Sequence, residues 1–128
     1  TIEIKNYEAK NIGDKALSVG ENSYINGENI IIDKSFMGLA AKDQSEVDLN
    51  NLVISNSDIG LASYIKKNEY NSSTININKL STNNNSREFF FEEGSKVKID
   101  GKDNKNFEIN VFEKIYPPKE LNQKNTSS

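Results

Sequence analysis

The sequence predicts an all-β fold, a right-handed parallel β-helix: a short solenoid of about five turns. Two observations carry that expectation. Gly-Leu-Ala at positions 38–40 returns 22 residues later at 60–62, and Ala16, Leu17 and Ser18 stand 22 residues before the first copy. In the same register, Ile25, Ile30 and Ile32 precede Val47, Leu52 and Ile54. The second observation is alternation. Val47-Asp48-Leu49, Ile75-Asn76-Ile77 and Val97-Lys98-Ile99 place apolar residues two apart, which puts them on one face of a strand. A period near 20 residues, filled with short strands, marks a coil that stacks on itself.

The turns follow in order. The first holds Ile2, Ile4, Tyr7 and Ala9, at an offset of 23 from the second. The second spans residues 16–37 and the third 38–59. In the fourth, Ile75, Ile77 and Leu80 match Val47, Leu49 and Leu52 at an offset of 28, so six extra residues enter between Tyr64 and Ser73. The fifth holds Phe89, Phe91, Val97 and Ile99. Stacking then predicts ladders of Leu17/Leu39/Leu61/Phe89, Ile25/Val47/Ile75/Val97 and Ile30/Leu52/Leu80. Asn6, Asn29 and Asn51, with Lys79 in the matching place, fall at one corner. Asparagine satisfies backbone groups at a bend and tolerates left-handed dihedrals.

A helix competes poorly, because β-branched residues are dense and Gly and Asn interrupt every window. A β-sandwich explains the alternation but not the 22-residue register. In Phe89-Phe90-Phe91 the middle ring points outward if its neighbours point inward, and the C-terminal segment folding back is expected to cover it. Beyond Gly101, Phe107, Ile109, Val111 and Ile115 suggest one more strand or partial turn, ended by Pro117-Pro118. The domain is expected over residues 1–116, with a polar, disordered tail over 117–128. The chain opens on Thr1 in strand-like alternation and is expected to be a fragment of a larger protein, or a processed one.

Composition narrows the chemistry. The 128 residues have a net charge of -3 with both signs mixed along the chain. No basic stripe is present, so no nucleic-acid partner is expected. No long apolar run is present, so no membrane insertion is expected. Cysteine, histidine and tryptophan are absent. That excludes disulfides, thiolate nucleophiles, a serine–histidine triad, and the usual zinc ligands. No cofactor and no metal site are expected. Glu92-Glu93-Gly94 reads as a turn with too few acids for calcium.

The six-residue break in the period is the candidate binding face, because extra residues in a solenoid form loops on one face. Lys42, Asp43, Tyr64, Lys66, Lys67, Glu69 and Tyr70 gather there in register. Tyr64 and Tyr70 would offer flat area for a sugar ring. Lys42, Asp43 and Glu69 would hydrogen-bond hydroxyls. The plainer reading is a solvated corner whose acids and lysines pair at about 0–1 kcal/mol each. No catalytic residue is assigned. An enzymatic version would use Lys66 or Lys67 as base and Asp43 or Glu69 as acid or cation ligand, and a lysine base needs a lowered pKa.

The wording of GDKALSVGENS (13–23), GLAAKDQSEV (38–47) and IGLASYIKKNEY (59–70) resembles the right-handed parallel β-helix of pectin-lyase-like bacterial proteins. More closely, it resembles the β-helical region beside CotH-type, spore-coat-like kinase domains of large surface or secreted proteins. The likeness spans about residues 13–101. That superfamily includes polysaccharide lyases, hydrolases and epimerases as well as noncatalytic adhesins and carbohydrate-binding scaffolds, and fold alone does not choose among them. Lyases of this kind commonly use an Arg or Lys base with calcium-binding Asp residues. Here Arg87 is the only arginine, and the acids form no stacked cluster, so no lyase residue carries over.

The leading expectation is a noncatalytic module of a bacterial surface or secreted protein, binding carbohydrate on a lateral face. The alternatives are a fragment of a polysaccharide-active enzyme and a structural spacer. Expected partners are a polysaccharide, other domains of the parent protein, and a second copy of the chain. The second copy would pair through the open solenoid end, at Ile2 to Tyr7, because an exposed strand edge invites pairing.

Overall fold

Alternating apolar residues that recur every 22 positions have no core until neighbouring coils stack, and stacking is what the computed structural model shows for residues 1–118. The chain winds into a right-handed parallel β-solenoid of about four turns. Strands β1 (Ile2–Val19) and β2 (Tyr24–Lys42) each run through a whole coil and bend at its corners. β3 (Glu46–Ser55) and β4 (Ile59–Tyr64) make the third coil, and β5 (Thr74–Asn83) and β6 (Arg87–Phe91) the fourth. β7 (Lys96–Ile99) starts an incomplete fifth, and β8 (Lys102–Asp103) turns back antiparallel to it. The coil count is therefore smaller than the five that the repeat suggests, because the fifth stops after one face.

All three expected ladders are present in parallel register. The offset is 23 from Ile2↔Ile25 to Ile12↔Ser35, and 22 from Lys15↔Met37 onward. One extra residue in β1, near Gly13, accounts for both offsets. Between β3 and β5 the offset is 28, from Glu46↔Thr74. It returns to 22 at Thr74↔Lys96. The inward residues form one core, with Ile30, Ile32, Leu39, Leu52, Ile54 and Leu61 fully buried. Each contributes roughly 1.5–3 kcal/mol.

The corners are left-handed. Asn6, Asn29, Asn51 and Lys79 have φ of 54°, 58°, 67° and 62°. Asn51 Nδ2 donates to Asn29 Oδ1 at 2.8 Å, and Asn29 Nδ2 to Asn6 Oδ1 at 3.1 Å. A second corner, built from Asn11, Lys34, Asn56 and Asn84, repeats the conformation. There Asn84 donates to Asn56 at 2.7 Å, and Asn56 to Asp33 at 2.8 Å. Inside the coils, hydroxyls pair across layers: Ser35 with Ser57 at 3.0 Å, Ser45 with Ser73 at 3.1 Å and Ser63 with Ser95 at 2.7 Å. These pairs satisfy polar groups that burial would otherwise leave costly.

The Gly-Leu-Ala repeat has a division of labour. Met37 packs outside the coil and Leu39 inside it, so the in–out alternation slips by one at Gly38. A Cβ at Gly38 would lie 2.7 Å from the Gly60 carbonyl oxygen and 2.8 Å from Ile54 Cγ2. Leu39 and Leu61 fill the core, and Ala40 and Ala62 form a shallow outer floor. On that floor lies helix α1 (Val111–Ile115), with Val111 and Ile115 packed against Met37, Ala40, Ala62 and Phe90. Phe90 thus points outward and is covered by the C-terminal segment, while Phe89 and Phe91 stack with ring centroids 5.5 Å apart. The expected extra strand over Phe107 to Ile115 is corrected to a short bridge at Glu108 and this helix. Glu92 accepts hydrogen bonds from the Asn110 and Val111 amides, both at 3.1 Å, and so starts a helix where alternation alone reads as strand. The tail expected over 117–128 lies, from residue 119 on, outside the described residues.

Two glycine substitutions separate close approach from mere flexibility. Gly38→Ala forces a Cβ against backbone and is expected to cost about 1–3 kcal/mol in urea unfolding. Gly13→Ala meets nothing within 4 Å and should leave the midpoint unchanged or slightly raised. At the first corner, Asn29→Ala should cost about 1–2 kcal/mol and Asn29→Gly less, since glycine keeps the left-handed backbone and loses only the side-chain ladder.

Candidate functional site

The inserted residues form a loop over 65–73 that is bound down along the solenoid rather than projecting from it. Its anchor is Asp43, at a corner where Asp43 and Gln44 have φ of 48° and 64°. Asp43 is only 2% exposed. Its Oδ1 accepts the Lys66 amide at 2.7 Å and the Lys67 amide at 3.0 Å. Gln44 Oε1 accepts the Asn71 amide at 3.3 Å. From one coil further back, Glu21 takes the Lys67 ammonium on one oxygen and the Tyr70 hydroxyl, at 3.0 Å, on the other. Lys67 and Tyr70 hold the Glu21 carboxyl below the usual carboxylate range. In return, the Glu21 carboxylate raises both Lys67 and Tyr70.

The seven candidate residues separate into two groups. Asp43 and Tyr64 are interior. Tyr64 is 1% exposed, with its ring 5.5 Å from Phe112 of α1, and burial pushes its phenol well above the ordinary range. It presents no flat surface to a sugar, and Asp43 spends its carboxylate on the loop backbone. The repeat alone puts both on the surface, because it encodes the corner and strand positions but not the loop and helix that cover them. Lys66, Lys67 and Glu69 are exposed, and Lys42 and Tyr70 are half-buried.

Glu21 lies in register near Asp43 in the sequence, whereas nothing in the sequence singles out Lys15 or Tyr116 as site residues, yet they complete the face. Lys15 Nζ donates to Asp14 at 2.9 Å and to the Tyr116 hydroxyl at 3.3 Å, and Tyr116 donates to Asp14 at 2.8 Å. Burial opposes the charge on Lys15, but its bonds to Asp14 and Tyr116 outweigh it and raise the ammonium above its usual range. Lys42 moves the other way. Burial lowers it, and the neighbouring charges of Lys15 and Lys66 lower it further, against opposing pulls from Asp43 and Asp14. Three lysines therefore share one edge of the α1-covered face. Arg87 is engaged elsewhere, stacked 3.6 Å over the Phe90 ring and ion-paired with Glu108. A shallow recess of about 230 Å³, lined by Lys66, Asn68, Asn110, Phe112 and Glu113 among others, lies between the loop and α1. Among the described residues, no group of three or more Asp and Glu side chains is arranged to hold a metal ion.

Comparison with protein-family models, curated proteins and solved structures finds no match to this chain.

The loop anchor makes two testable statements. Asp43→Asn keeps an oxygen acceptor and tolerates the left-handed corner, so the loop should remain protected from proteolysis. Asp43→Ala removes both amide bonds, and cleavage within 65–73 should rise at least about tenfold. The Glu21 contact also has a pH window. Its carboxyl is lowered in the folded chain, so its contribution is fully present above the ordinary glutamate value of 4.5 and is lost as pH falls through the lowered folded value. Lys67 is raised, so its contribution is full below 10.5 and is lost as pH rises through its folded value. Amide and Tyr70 ring resonances should stay constant between those limits and shift outside them.

Proposed function

We propose that this chain is a noncatalytic β-solenoid module of a bacterial surface or secreted protein, and that its lateral face binds carbohydrate, acidic polysaccharide in particular. The single observation that carries the reading is the cluster of Lys15, Lys42 and Lys66 beside a loop bound down over 65–73. Like charges held together oppose folding, and, after burial, the charges of Lys15 and Lys66 are what lower Lys42. Asp14 and Asp43 answer part of that repulsion. A carboxylate-bearing polymer lying along the face would answer the rest. The latched loop and α1 supply a rigid rim, which reduces the ordering cost of binding. In this reading Lys42 and Lys66 contact acid groups, Glu69 contacts hydroxyls, and Asp43, Tyr64, Lys67 and Tyr70 hold the rim in place. The resemblance to pectin-lyase-like and CotH-associated β-helices agrees with such a role and with neighbouring domains in a parent protein.

The test is calorimetric titration with polygalacturonate, a neutral glucan and buffer alone. Binding to the uronate polymer is expected, weakening with salt and by at least about tenfold in Lys42→Ala/Lys66→Ala. Equal binding to the neutral glucan would remove the charge argument. Absence of binding to either polymer overturns the reading and favours a structural spacer.

One observation favours a polysaccharide-active enzyme as a second reading. Burial first, and then the charges of Lys15 and Lys66, lower the pKa of Lys42, as a general base requires. Lys42→Arg keeps the charge and removes the base. If polygalacturonate is cleaved by the wild type and only bound by Lys42→Arg, the enzymatic reading replaces the noncatalytic one.

A further inference from the structure

The recess between the inserted loop and α1 differs in chemistry from the lysine row beside it. Its loop side holds Ile65, Lys66 and Asn68, and its helix side holds Asn110, Phe112 and Glu113. Both sides are fixed from beneath. Asp43 binds the Lys66 and Lys67 amides, and Glu92, which also lines the recess, binds the Asn110 and Val111 amides. The Phe112 ring is held between Tyr64 and Tyr116, with centroids 5.5 and 5.4 Å away, and stays half-buried. At about 230 Å³ the recess is smaller than the roughly 300–1,000 Å³ of most ligand pockets, so it suits one sugar ring and not two.

Charge decides what the recess does not take. Lys66 stands where the lysine row meets the recess, and inside it two carboxylates, Glu92 and Glu113, face its one ammonium. A uronate carboxylate is therefore drawn to the row and repelled from the recess. Two exposed carboxamides decide what it does take. Among the described residues, neither the Asn68 nor the Asn110 side chain makes a hydrogen bond to the protein, because at Asn110 the left-handed corner is held through the backbone amide. Each carboxamide offers an N–H donor and a carbonyl acceptor. An acetamido group answers with the same pair, an N–H and a carbonyl. It also carries a methyl group, and Ile65 and Phe112 supply the apolar wall for it. A sugar bearing only hydroxyls could use the amides but would leave that wall facing water.

We infer that the recess is a subsite for one N-acetylhexosamine unit, its acetamido group on Asn68 and Asn110 and its methyl on Phe112. The inference rests on the carbohydrate reading of the same face, and it makes the polymer a mixed one, with N-acetylated units beside the uronates on the lysine row. Free sugars test the two separately. NMR spectra of the 128-residue chain are followed as N-acetylglucosamine, glucose or glucuronate is added to about 50 mM. N-Acetylglucosamine should shift the Asn68 and Asn110 side-chain amides and the Phe112 ring, and glucose and glucuronate should leave them in place. Asn68→Ala/Asn110→Gly keeps the left-handed backbone at 110. It should weaken N-acetylglucosamine at least about tenfold with an unchanged circular dichroism spectrum, and leave polygalacturonate binding within about twofold. Equal shifts with glucose or glucuronate, no shift with any sugar, or a double variant that binds N-acetylglucosamine as the wild type does would each overturn the inference. The polygalacturonate titration then still judges the lysine row by itself. Selective shifts with N-acetylglucosamine but no binding of polygalacturonate support the subsite and overturn the acidic polymer.

Discussion

Everything in this molecule depends on one constraint: each strand must lie in register on the strand one coil away. A single coil has no interior, since its inward side chains would face one another across a ring with water above and below. Parallel pairing stacks isoleucine on valine on isoleucine and closes the interior from both sides. The same pairing superimposes corners, which is why asparagine recurs where it does. A residue in the left-handed region at a bend, with a side chain able to bond its copy in the next coil, satisfies the local backbone and the stacking at once. The core and the corner ladders are therefore two results of a single repeat.

Departures from the repeat carry the rest of the structure. An extra residue near Gly13 shifts the first coil from an offset of 23 to 22 without disturbing the core. The six-residue insertion becomes a surface loop because Asp43, at a tight corner, offers a buried oxygen to two consecutive amides. The outer floor of Ala40 and Ala62 is too shallow to be a surface and too apolar to face water. It is completed by a helix whose start depends on Glu92. The loop and the helix each place a polar acceptor where backbone donors would otherwise be stranded.

The sequence made the coil legible because period and alternation are written in single residues. Ile25/Val47/Ile75/Val97 needs no knowledge of the rest of the chain. The Asn6/Asn29/Asn51 corner is legible for the same reason, since its lysine comes last, whereas in the second corner Lys34 falls in the second coil and leaves no three consecutive asparagines. Of the candidate face, the location was legible and the exposure was not. Asp43 and Tyr64 read as surface in one coil, and they are covered by residues 23 (Lys66) to 48 (Phe112) positions away in sequence. Helix α1 is not legible in the sequence, since Val111, Phe112 and Ile115 are compatible with either period over so short a stretch. Its cap lies in a turn that looked complete in itself.

Solenoids are usually described by nearest-neighbour energetics, in which each coil responds only to the coils beside it and the ends fray independently. Two long connections depart from that here. Glu21 in the first coil holds Lys67 and Tyr70 in the loop that leaves the third, and Asp14 in the first coil holds Tyr116 beyond the last strand. The first coil cannot peel away without releasing both the loop and the C-terminal helix. These ties join coils that are not neighbours and add to the nearest-neighbour stacking.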